Sequence, residues 1–290
     1  MRALLEAGVN SPEFVGAYSR RAGLFVPPGH FYSPIVDVAS QPRRASSPPH
    51  AIEVGLDDHL KRWNAFLPLL RDIPFPDDPG PRYRYWYKNP AFGFPDAMTY
   101  YAILRSYRPR NVIEVGSGHS SALLLDTADE HLPDTSVTFI EPHPELLHDL
   151  MRPGDRARAR IISSPVQDVD SSVFRQLTAN DILFIDSTHV AKTGSDVLYE
   201  VFDVLPYLAP GVLVHLHDIF WPFEYPADWV FDENRSWNET YLLRAFLMYN
   251  PHFEILFWND FFVRSCKTVI ESTYPPFLRN TCGSVWLRKR

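Results

Sequence analysis

Two acidic residues and two histidines follow two apolar segments that the sequence pattern predicts as buried strands. Asp186 and His189 come after one segment, and His217 and Asp218 come after the other. Residues just beyond strand carboxyl ends line the crevice of an open α/β sheet, so we expect these side chains to converge. A histidine titrates near neutral pH and can accept a proton while a carboxylate orients its ring. His217 is the first candidate for this base and His189 the second. Asp218 or Asp186 would orient the imidazole.

The same residues also admit a purely structural interpretation. Aspartates at strand ends can cap the helices that follow, and a histidine beside a carboxylate can be a satisfied pair. His215 lies inside the apolar pattern of its strand, so we expect it to be packed.

A glycine turn lies earlier in the chain, between a β-branched run and a helix-like apolar run. It contains Gly116 and Gly118, and Glu114 lies two residues before the first glycine. Glycines at such a junction let the backbone turn tightly and admit a ligand against the main chain. A second acid, Glu141, ends the next predicted strand, where a carboxylate can accept hydrogen bonds from a ribose diol. The spacing predicts a site for a nucleoside-containing cofactor.

The elements that would position these residues alternate between strand and helix. The pattern becomes regular at Asp96, which we assign as a helix N-cap. The predicted strands are 111–115, 136–141, 159–163, 181–186, 211–216, 253–263 and 284–287, and the predicted helices are 96–107, 119–131, 144–151, 171–178, 194–207 and 238–249. Such alternation indicates an α/β fold with a parallel sheet and helices on both faces.

The Glu-x-Gly-x-Gly pattern at Glu114, Gly116 and Gly118 resembles the first motif of class I S-adenosylmethionine (SAM)-dependent methyltransferases. The resemblance implies a Rossmann-like fold with a mostly parallel seven-stranded sheet, in which the last strand inserts antiparallel. It also implies that the glycine turn approaches the amino-acid part of SAM and that Glu141 holds the ribose. Gln167 or Asp168 would contact the adenine amino group. The implied cofactor-binding residues are Glu114, Gly116, Ser117, Gly118, His119, Ser120, Glu141, Gln167 and Asp168.

A looser resemblance concerns a subgroup of bacterial class I methyltransferases of small-molecule or secondary metabolism. These enzymes have Asp-Ser-x-His after the fourth strand and His-Asp-Ile after the fifth, and this chain has both patterns at 186–189 and 217–219. The resemblance implies methyl transfer from SAM to a small-molecule acceptor. Because a hydroxyl acceptor must lose a proton to a base, we predict O-methylation with a histidine general base.

The resemblance leaves a metal ion open. Some small-molecule O-methyltransferases of this class use one aspartate after the fourth strand and an Asp-Asp or Asp-Asn pair after the fifth. This chain has Asp186 and the pair His217–Asp218 at those places. An imidazole thus interrupts the oxygen-rich set that magnesium prefers, and a mixed nitrogen and oxygen set would suit a transition metal. We assign no metal.

The first 95 residues have a different composition. Prolines exclude long regular elements at Pro27, Pro28, Pro34, Pro42, Pro48, Pro49, Pro74, Pro76, Pro79 and Pro81. One amphipathic helix is predicted over 52–70. We predict an N-terminal accessory cap over 1–95 and a SAM-binding catalytic domain over 96–290. The aromatic residues Tyr85, Trp86 and Tyr87 would cover the crevice, and the segment 221–225 would form a substrate lid.

Other functions fit parts of the pattern. An NAD(P)-dependent oxidoreductase explains the glycines and Glu141, but Ser121 replaces the third glycine of its fingerprint. A serine hydrolase would use Ser120, Asp186 and His217 in that order. A SAM enzyme can also perform non-methyl chemistry, such as cyclisation or aminocarboxypropyl transfer, and a SAM-fold protein can bind without catalysis.

Composition limits the remaining choices. A net charge of −7 over 290 residues argues against a nucleic-acid partner, which needs a basic surface. Two cysteines imply no disulfide framework. No apolar run has the length of a membrane span, and the N-terminus lacks the apolar core of a signal peptide. We therefore expect a cytoplasmic enzyme that acts on a small molecule without a membrane partner, and leave a homo-oligomer open.

Overall fold

The computed structural model describes residues 33–41 and 47–290, so Pro27, Pro28, Pro42 and the predicted absence of a signal peptide lie outside the described residues. The helices are α1 (Leu56–Arg71), α2 (Phe94–Tyr107), α3 (His119–His131), α4 (Glu145–Leu150), α5 (Ser172–Arg175), α6 (Asp196–Tyr199), α7 (Ala227–Phe231), α8 (Glu239–Leu247), α9 (Asn259–Ser265) and α10 (Lys267–Thr273). The strands are β1 (Asn111–Val115), β2 (Ser136–Ile140), β3 (Ala159–Ile162), β4 (Ile182–Ile185), β5 (Leu213–His217), β6 (Phe253–Trp258) and β7 (Ser284–Lys289). No helix of this part of the chain is long and apolar enough to cross a membrane.

The seven strands form one sheet in the order β3-β2-β1-β4-β5-β7-β6. Strands β1 to β5 pair in parallel, and β7 inserts antiparallel between β5 and β6. The predicted Rossmann-like α/β fold is confirmed. The strand order reverses between β1 and β4, and ligands bind beyond the strand carboxyl ends at such a switch point. Gly116 and Asp186 directly follow these two strands.

Each face of the sheet is covered by its own core. In β4, Ile182 and Phe184 belong to one core, and Leu183 and Ile185 belong to the other. A parallel strand that is buried on both faces needs a continuous apolar run, which explains the Ile-Leu-Phe-Ile sequence. Burial of such side chains contributes roughly 1.5–3 kcal/mol each, so the sheet holds its strand ends firmly.

The described part of the first 95 residues contributes large side chains to the core on one sheet face. Helix α1 begins at Leu56, four residues later than predicted, and buries Trp63 and Phe66. The aromatic stretch that follows buries Tyr85 and Tyr87 in the same core. This stretch therefore packs under the sheet as well as beside the crevice. The domain boundary at residue 95 stays a prediction.

Helix α2 begins before the predicted N-cap. Gly93 is the N-cap, the helix starts at Phe94, and Asp96 lies inside the first turn. The assignment of Asp96 as N-cap was therefore wrong. Its carboxylate is buried and accepts hydrogen bonds from Asn259 and Ser284, distant residues that the local pattern does not reveal.

The segment after β6 also differs from its prediction. The predicted strand 253–263 ends at Trp258, and helix α9 begins at Asn259. The aromatic and β-branched residues 261–263 have strand propensity, but tertiary contacts override such propensity. The buried side chain of Asn259 forms hydrogen bonds with Thr99, Asp96 and Ser284, which anchor the start of α9.

Helices α7 and α10 were not predicted. The predicted helix 194–207 is a composite of α6, a π-helix over Glu200–Val204 and a 3-10 turn over Leu205–Tyr207.

Candidate active site

Gly116 is required by the neighbouring strand. It has a φ of +78°, and a Cβ atom at this position would lie 1.8 Å from the carbonyl oxygen of Asp186. The Asp186 amide also donates to the Val115 carbonyl at 2.9 Å, which holds the two strand ends together. The close approach of the two backbones therefore requires a glycine here, and a contact of Gly116 with the cofactor stays a prediction.

Gly118 has more space. Its φ is −176°, which any residue adopts, and an added Cβ would meet only Leu146 at 3.4 Å. Its amide donates to the Ser121 hydroxyl at 3.0 Å, and helix α3 begins at the next residue. Of the two glycines, only this one has room for a Cβ atom.

Glu114 lies beneath the turn. It is fully buried, and one carboxyl oxygen accepts hydrogen bonds from the hydroxyls of Ser120 at 2.6 Å and Ser121 at 2.8 Å. Burial raises the pKa of Glu114 to about 8, so the carboxyl group is mostly neutral at pH 7. The geometry makes Glu114 an internal support of the turn, and a direct contact of Glu114 or Ser120 with the cofactor stays a prediction. Because the Ser120 hydroxyl is buried against Glu114, it is not presented as a hydrolase nucleophile.

A cavity of about 320 Å³ opens at the carboxyl ends of β1, β2 and β4. Its volume lies in the range of small-ligand pockets. The residues that line it are Val115, Gly116, Ile140, Glu141, Pro142, His143, Pro165, Val166, Gln167, Asp186, Ser187, Thr188 and Asp196. Among the predicted cofactor residues, Gly116, Glu141 and Gln167 line this cavity.

Glu141 is held by the backbone at the end of β2. One carboxylate oxygen accepts a hydrogen bond from the Ser117 amide at 3.1 Å, and the other accepts one from the His143 amide at 2.8 Å. Each carboxylate oxygen can accept a second hydrogen bond, so both remain able to bind a diol. Ser117 therefore acts here through its amide on Glu141.

The other predicted cofactor residues lie around this cavity. Gln167 donates to the Gly194 carbonyl at 3.3 Å, whereas Asp168 is exposed and does not line the cavity. His119 is buried, and its Nδ1 has no hydrogen-bond partner. The half-buried ring of Trp86 packs edge-on against His119 at 4.9 Å between centroids. Trp86 therefore lies over the glycine turn, whereas its neighbours Tyr85 and Tyr87 are core residues and do not cover the crevice.

His189 lies among three carboxylates. Its Nδ1 donates to Glu239 Oε2 at 2.7 Å. Its Nε2 lies 3.4 Å from Asp186 Oδ1 and 3.6 Å from Asp218 Oδ2. The backbone carbonyl of His189 also accepts hydrogen bonds from the amides of Asn238, the N-cap of helix α8, and Glu239, its first residue, both at 3.1 Å. The predicted convergence of the two strand ends is therefore present.

Charge determines the protonation of this cluster. Burial alone would lower the pKa of His189, but Asp186 and Glu239 outweigh burial and raise that pKa well above its ordinary value. Burial would raise the pKa of Asp186, yet His217 and His189 lower it to about 2. Burial raises the pKa of Asp218 to about 6 despite the same two histidines. One aspartate is therefore fixed as an anion while the other titrates close to neutrality.

His217 is also buried. Its Nε2 lies 3.7 Å from Asp218 Oδ1, and its buried Nδ1 has no hydrogen-bond partner. Burial lowers the pKa of His217, but Asp186, Asp218 and Asp96 outweigh burial and raise it above the ordinary value. His215 stacks on Phe184 at 3.9 Å between centroids, and burial lowers its pKa well below the ordinary value. His215 is therefore packed, as predicted.

Backbone strain accompanies the cluster. His189 has a φ of +59° and Asp218 a φ of +56°, both in the left-handed region. A non-glycine residue there costs roughly 1–3 kcal/mol and persists only where its surroundings fix it, which is common at functional sites. The Glu239 contact and the α8 amides provide that fixation for His189.

The sequence did not reveal Glu239, Asp96 or Trp237 as site residues. Glu239 is the first residue of α8, a position where acids are common because of the helix dipole, so nothing in the pattern marked it. Trp237 packs against the His189 ring at 4.4 Å between centroids.

Two residues of the predicted substrate lid, Phe223 and Tyr225, are buried packing residues. Among residues 33–41 and 47–290, no three His, Cys, Asp or Glu side chains are arranged to hold one metal ion.

Comparisons with known proteins identify a methyltransferase domain in this chain. A Methyltransferase domain model matches residues 113–219, which extend from β1 through the residues just beyond β5. An uncharacterized protein of Archaeoglobus fulgidus is 32% identical over 176 residues, which cover 56% of this chain and 78% of the relative. Residues 113–219 are therefore a methyltransferase domain. The matched segment includes the glycine turn and both polar strand ends.

Solved structures are similar at a lower level. An SAH-bound methyltransferase from Podospora anserina is 14% identical with a TM-score of 0.44, over 67% of this chain and 77% of that chain. An O-methyltransferase family protein from Burkholderia thailandensis is 15% identical with a TM-score of 0.37, over 50% of this chain and 45% of that chain. These TM-scores are too low to support statements about the chemistry of this methyltransferase.

The cavity beside Gly116 has the chemistry that SAM requires. The Glu141 carboxylate has free acceptor capacity for a ribose diol, Ile140 and Val166 supply apolar walls, and Gln167 supplies an amide at the far end. Asp186 also lines this cavity, and its Oδ1 lies 3.4 Å from His189. The cofactor cavity and the histidine cluster therefore share a wall.

Proposed function

We propose that this methyltransferase methylates a hydroxyl oxygen of a small-molecule acceptor and that His189, oriented by Glu239, is the general base. One observation carries the proposal: Asp186 lines the cofactor cavity and also contacts the His189 ring. An acceptor bound against the cluster would thus lie beside the reactive end of the cofactor, which orients the two reacting groups.

The geometry favours His189 over His217 as the base, which reverses the order that the sequence suggested. A base is effective when a third group orients its ring, and Glu239 does this through Nδ1 of His189. Nε2 then faces the strand ends between Asp186 and Asp218. His217 has no such partner at Nδ1.

Oxygen as the methylated atom follows from the need for a base. A hydroxyl group is a weak nucleophile until it loses its proton, whereas a neutral amine attacks without a base. A carboxylate–histidine pair is the device that removes such a proton. Bound SAM would supply the electrophilic methyl group and leave as S-adenosylhomocysteine. His189 would take the hydroxyl proton, and Glu239 would stabilise the resulting imidazolium.

A small-molecule acceptor follows from the surroundings of the cluster. His189 and His217 are both buried, so only a compact group reaches them. The site also contains Asp186, Asp218 and Glu239, which would repel the phosphates of a nucleic acid. The net charge of −7 acts in the same direction.

A screen of hydroxylated small molecules with radiolabelled SAM tests the proposal. We expect a methyl ether product, identified by mass spectrometry. His189→Ala should lower kcat by about 10²–10⁴-fold while the Kd for SAM changes little, and His217→Ala should cost less. Transfer to nitrogen only, or an aminocarboxypropyl or cyclised product, would overturn O-methylation. A His189→Ala variant with full turnover would overturn the choice of base.

A further inference from the structure

Asp96 has a buried carboxylate, and the groups that donate hydrogen bonds to it are neutral. Its Oδ1 accepts hydrogen bonds from the Asn259 amide at 2.7 Å and from the Ser284 hydroxyl at 2.5 Å. Its Oδ2 accepts one from the Gly283 amide at 3.3 Å. These contacts join helix α2 to the start of α9 and to β7. They hold the carboxylate in place, but none of these three donors carries a positive charge.

The sheet register places this charge beside His217. In the antiparallel pair β5–β7, His217 lies directly opposite Ser284. Directly paired residues project from the same face of a sheet, with Cβ atoms roughly 4.5–5.5 Å apart. Because the Ser284 hydroxyl donates to Asp96, the carboxylate lies on the face of the sheet from which the His217 ring projects. The Phe92 ring, 5.4 Å from the His217 ring between centroids, packs on the same side.

The charged and titratable groups that face His217 come from β4 and its following loop, from β5 and its following loop, and from α2. They are Asp186 after β4, Asp218 after β5, His189 in the loop beyond β4, His215 on β5 and Asp96 on α2. The three acids raise the pKa of His217 and the neighbouring His189 lowers it. Asp96 is the acid that approaches from the interior, away from the cofactor cavity.

We propose that Asp96 is a positioning residue of the methyl-transfer site, whose buried carboxylate lies on the His217 face of the sheet and keeps His217 cationic beside the acceptor. The proposal rests on the proposed function in one respect, because His217 can stay a cation during turnover only if His189 is the base. In this role the His217 imidazolium attracts the acceptor oxygen as negative charge develops on it. Asp96 acts through His217 and does not touch the reacting atoms.

The test compares Asp96→Asn with Asp181→Asn. Asp181 is a matched control because it is also buried and also accepts hydrogen bonds from neutral donors, including the amides of Asn111 and Thr178. It lies at the opposite end of the sheet, at the start of β4. Both variants lose one buried charge and should lower Tm.

The readout is the titration of the His217 ring by NMR, assigned with a His217→Gln variant. We expect Asp96→Asn to lower the pKa of His217 and to reduce kcat several-fold, with an altered pH profile and an unchanged Kd for SAM. Asp181→Asn should leave the pKa of His217 unchanged. If Asp96→Asn lowers Tm but His217 titrates as in the wild type, Asp96 is only structural and the proposal fails.

A second variant covers the case in which Asp96→Asn does not fold. Ser284→Ala removes the hydroxyl that donates to Asp96 from the position opposite His217, and it keeps the Asp96 carboxylate. We expect a smaller change in the His217 titration in this variant, and no change there would overturn the proposal. The NMR titration needs no acceptor, so a wrong acceptor class would leave it intact and the two failures are distinguishable.

Discussion

The glycine turn and the histidine cluster face the same crevice but are built in different ways. The turn consists of consecutive residues over 114–121, and its contacts are backbone amides and serine hydroxyls around a mostly neutral Glu114. The cluster consists of charged side chains from separate segments, with His189 between Asp186, Asp218 and Glu239. Steric fit maintains the first region, and charge maintains the second.

The two regions therefore differ in what a substitution changes: the fit of the backbone in the turn, and the proton affinity of the histidines in the cluster. A substitution in the turn changes where the backbone of β1 meets that of β4, so it should act on stability and cofactor binding. A substitution in the cluster changes the field around two histidines, so it should act on rate and pH dependence. Asp186 belongs to both regions, because its backbone restricts Gly116 while its side chain contacts His189.

The largest expected effect concerns the charges of the histidine cluster. Glu239→Gln should lower kcat by about 10²–10⁴-fold, because Nδ1 of His189 loses its charged partner. His189 accepts a proton only when neutral, so activity rises with pH through its raised pKa. Loss of the Glu239 charge lowers that pKa, and the rising limb of the kcat profile should move to lower pH.

The control for this variant is Glu233→Gln, since Glu233 is exposed and pairs with Arg235 outside the cluster. It should leave the profile in place. A Glu239→Gln enzyme with wild-type rate and pH dependence would show that the two regions do not differ as described.

A smaller effect is expected on the steric side. Gly116→Ala should destabilise the fold by on the order of 3 kcal/mol, from left-handed strain and the collision with the Asp186 carbonyl. Gly118→Ala meets only Leu146 at 3.4 Å and should cost well under half of that. Chemical denaturation of both variants measures the difference. Equal losses would mean that the turn is not restricted by β4.

The smallest effect concerns the cofactor alone. Glu141→Ala should weaken SAM binding by roughly 1–3 kcal/mol, the scale of a lost charge-assisted hydrogen bond. Isothermal titration measures this, with Glu145→Ala as a control because Glu145 is exposed and does not line the cavity. Turnover at saturating SAM should change little. An unaltered affinity would mean that Glu141 does not hold the ribose.

Local signals in the sequence were sufficient for the sheet and for the glycine turn. The bounds of β1 and α3 agree with their predictions, because a β-branched run, two glycines and an apolar helical run follow each other directly. The α9 region was predicted incorrectly as a strand, since its aromatic residues are compatible with both states and Asn259 is fixed by distant partners.

The sequence alone determined the order of the seven strands along the chain, the glycine turn and the two polar strand ends, because each depends on neighbouring residues. Only the tertiary structure brought Glu239 to His189 and placed Asp96 on the His217 face of the sheet. Those residues are 50 and 188 positions from the partners that fix them, Glu239 from His189 and Asp96 from Ser284. Electrostatic interactions depend on distance in space, and no local pattern encodes which remote carboxylate will lie beside a given imidazole.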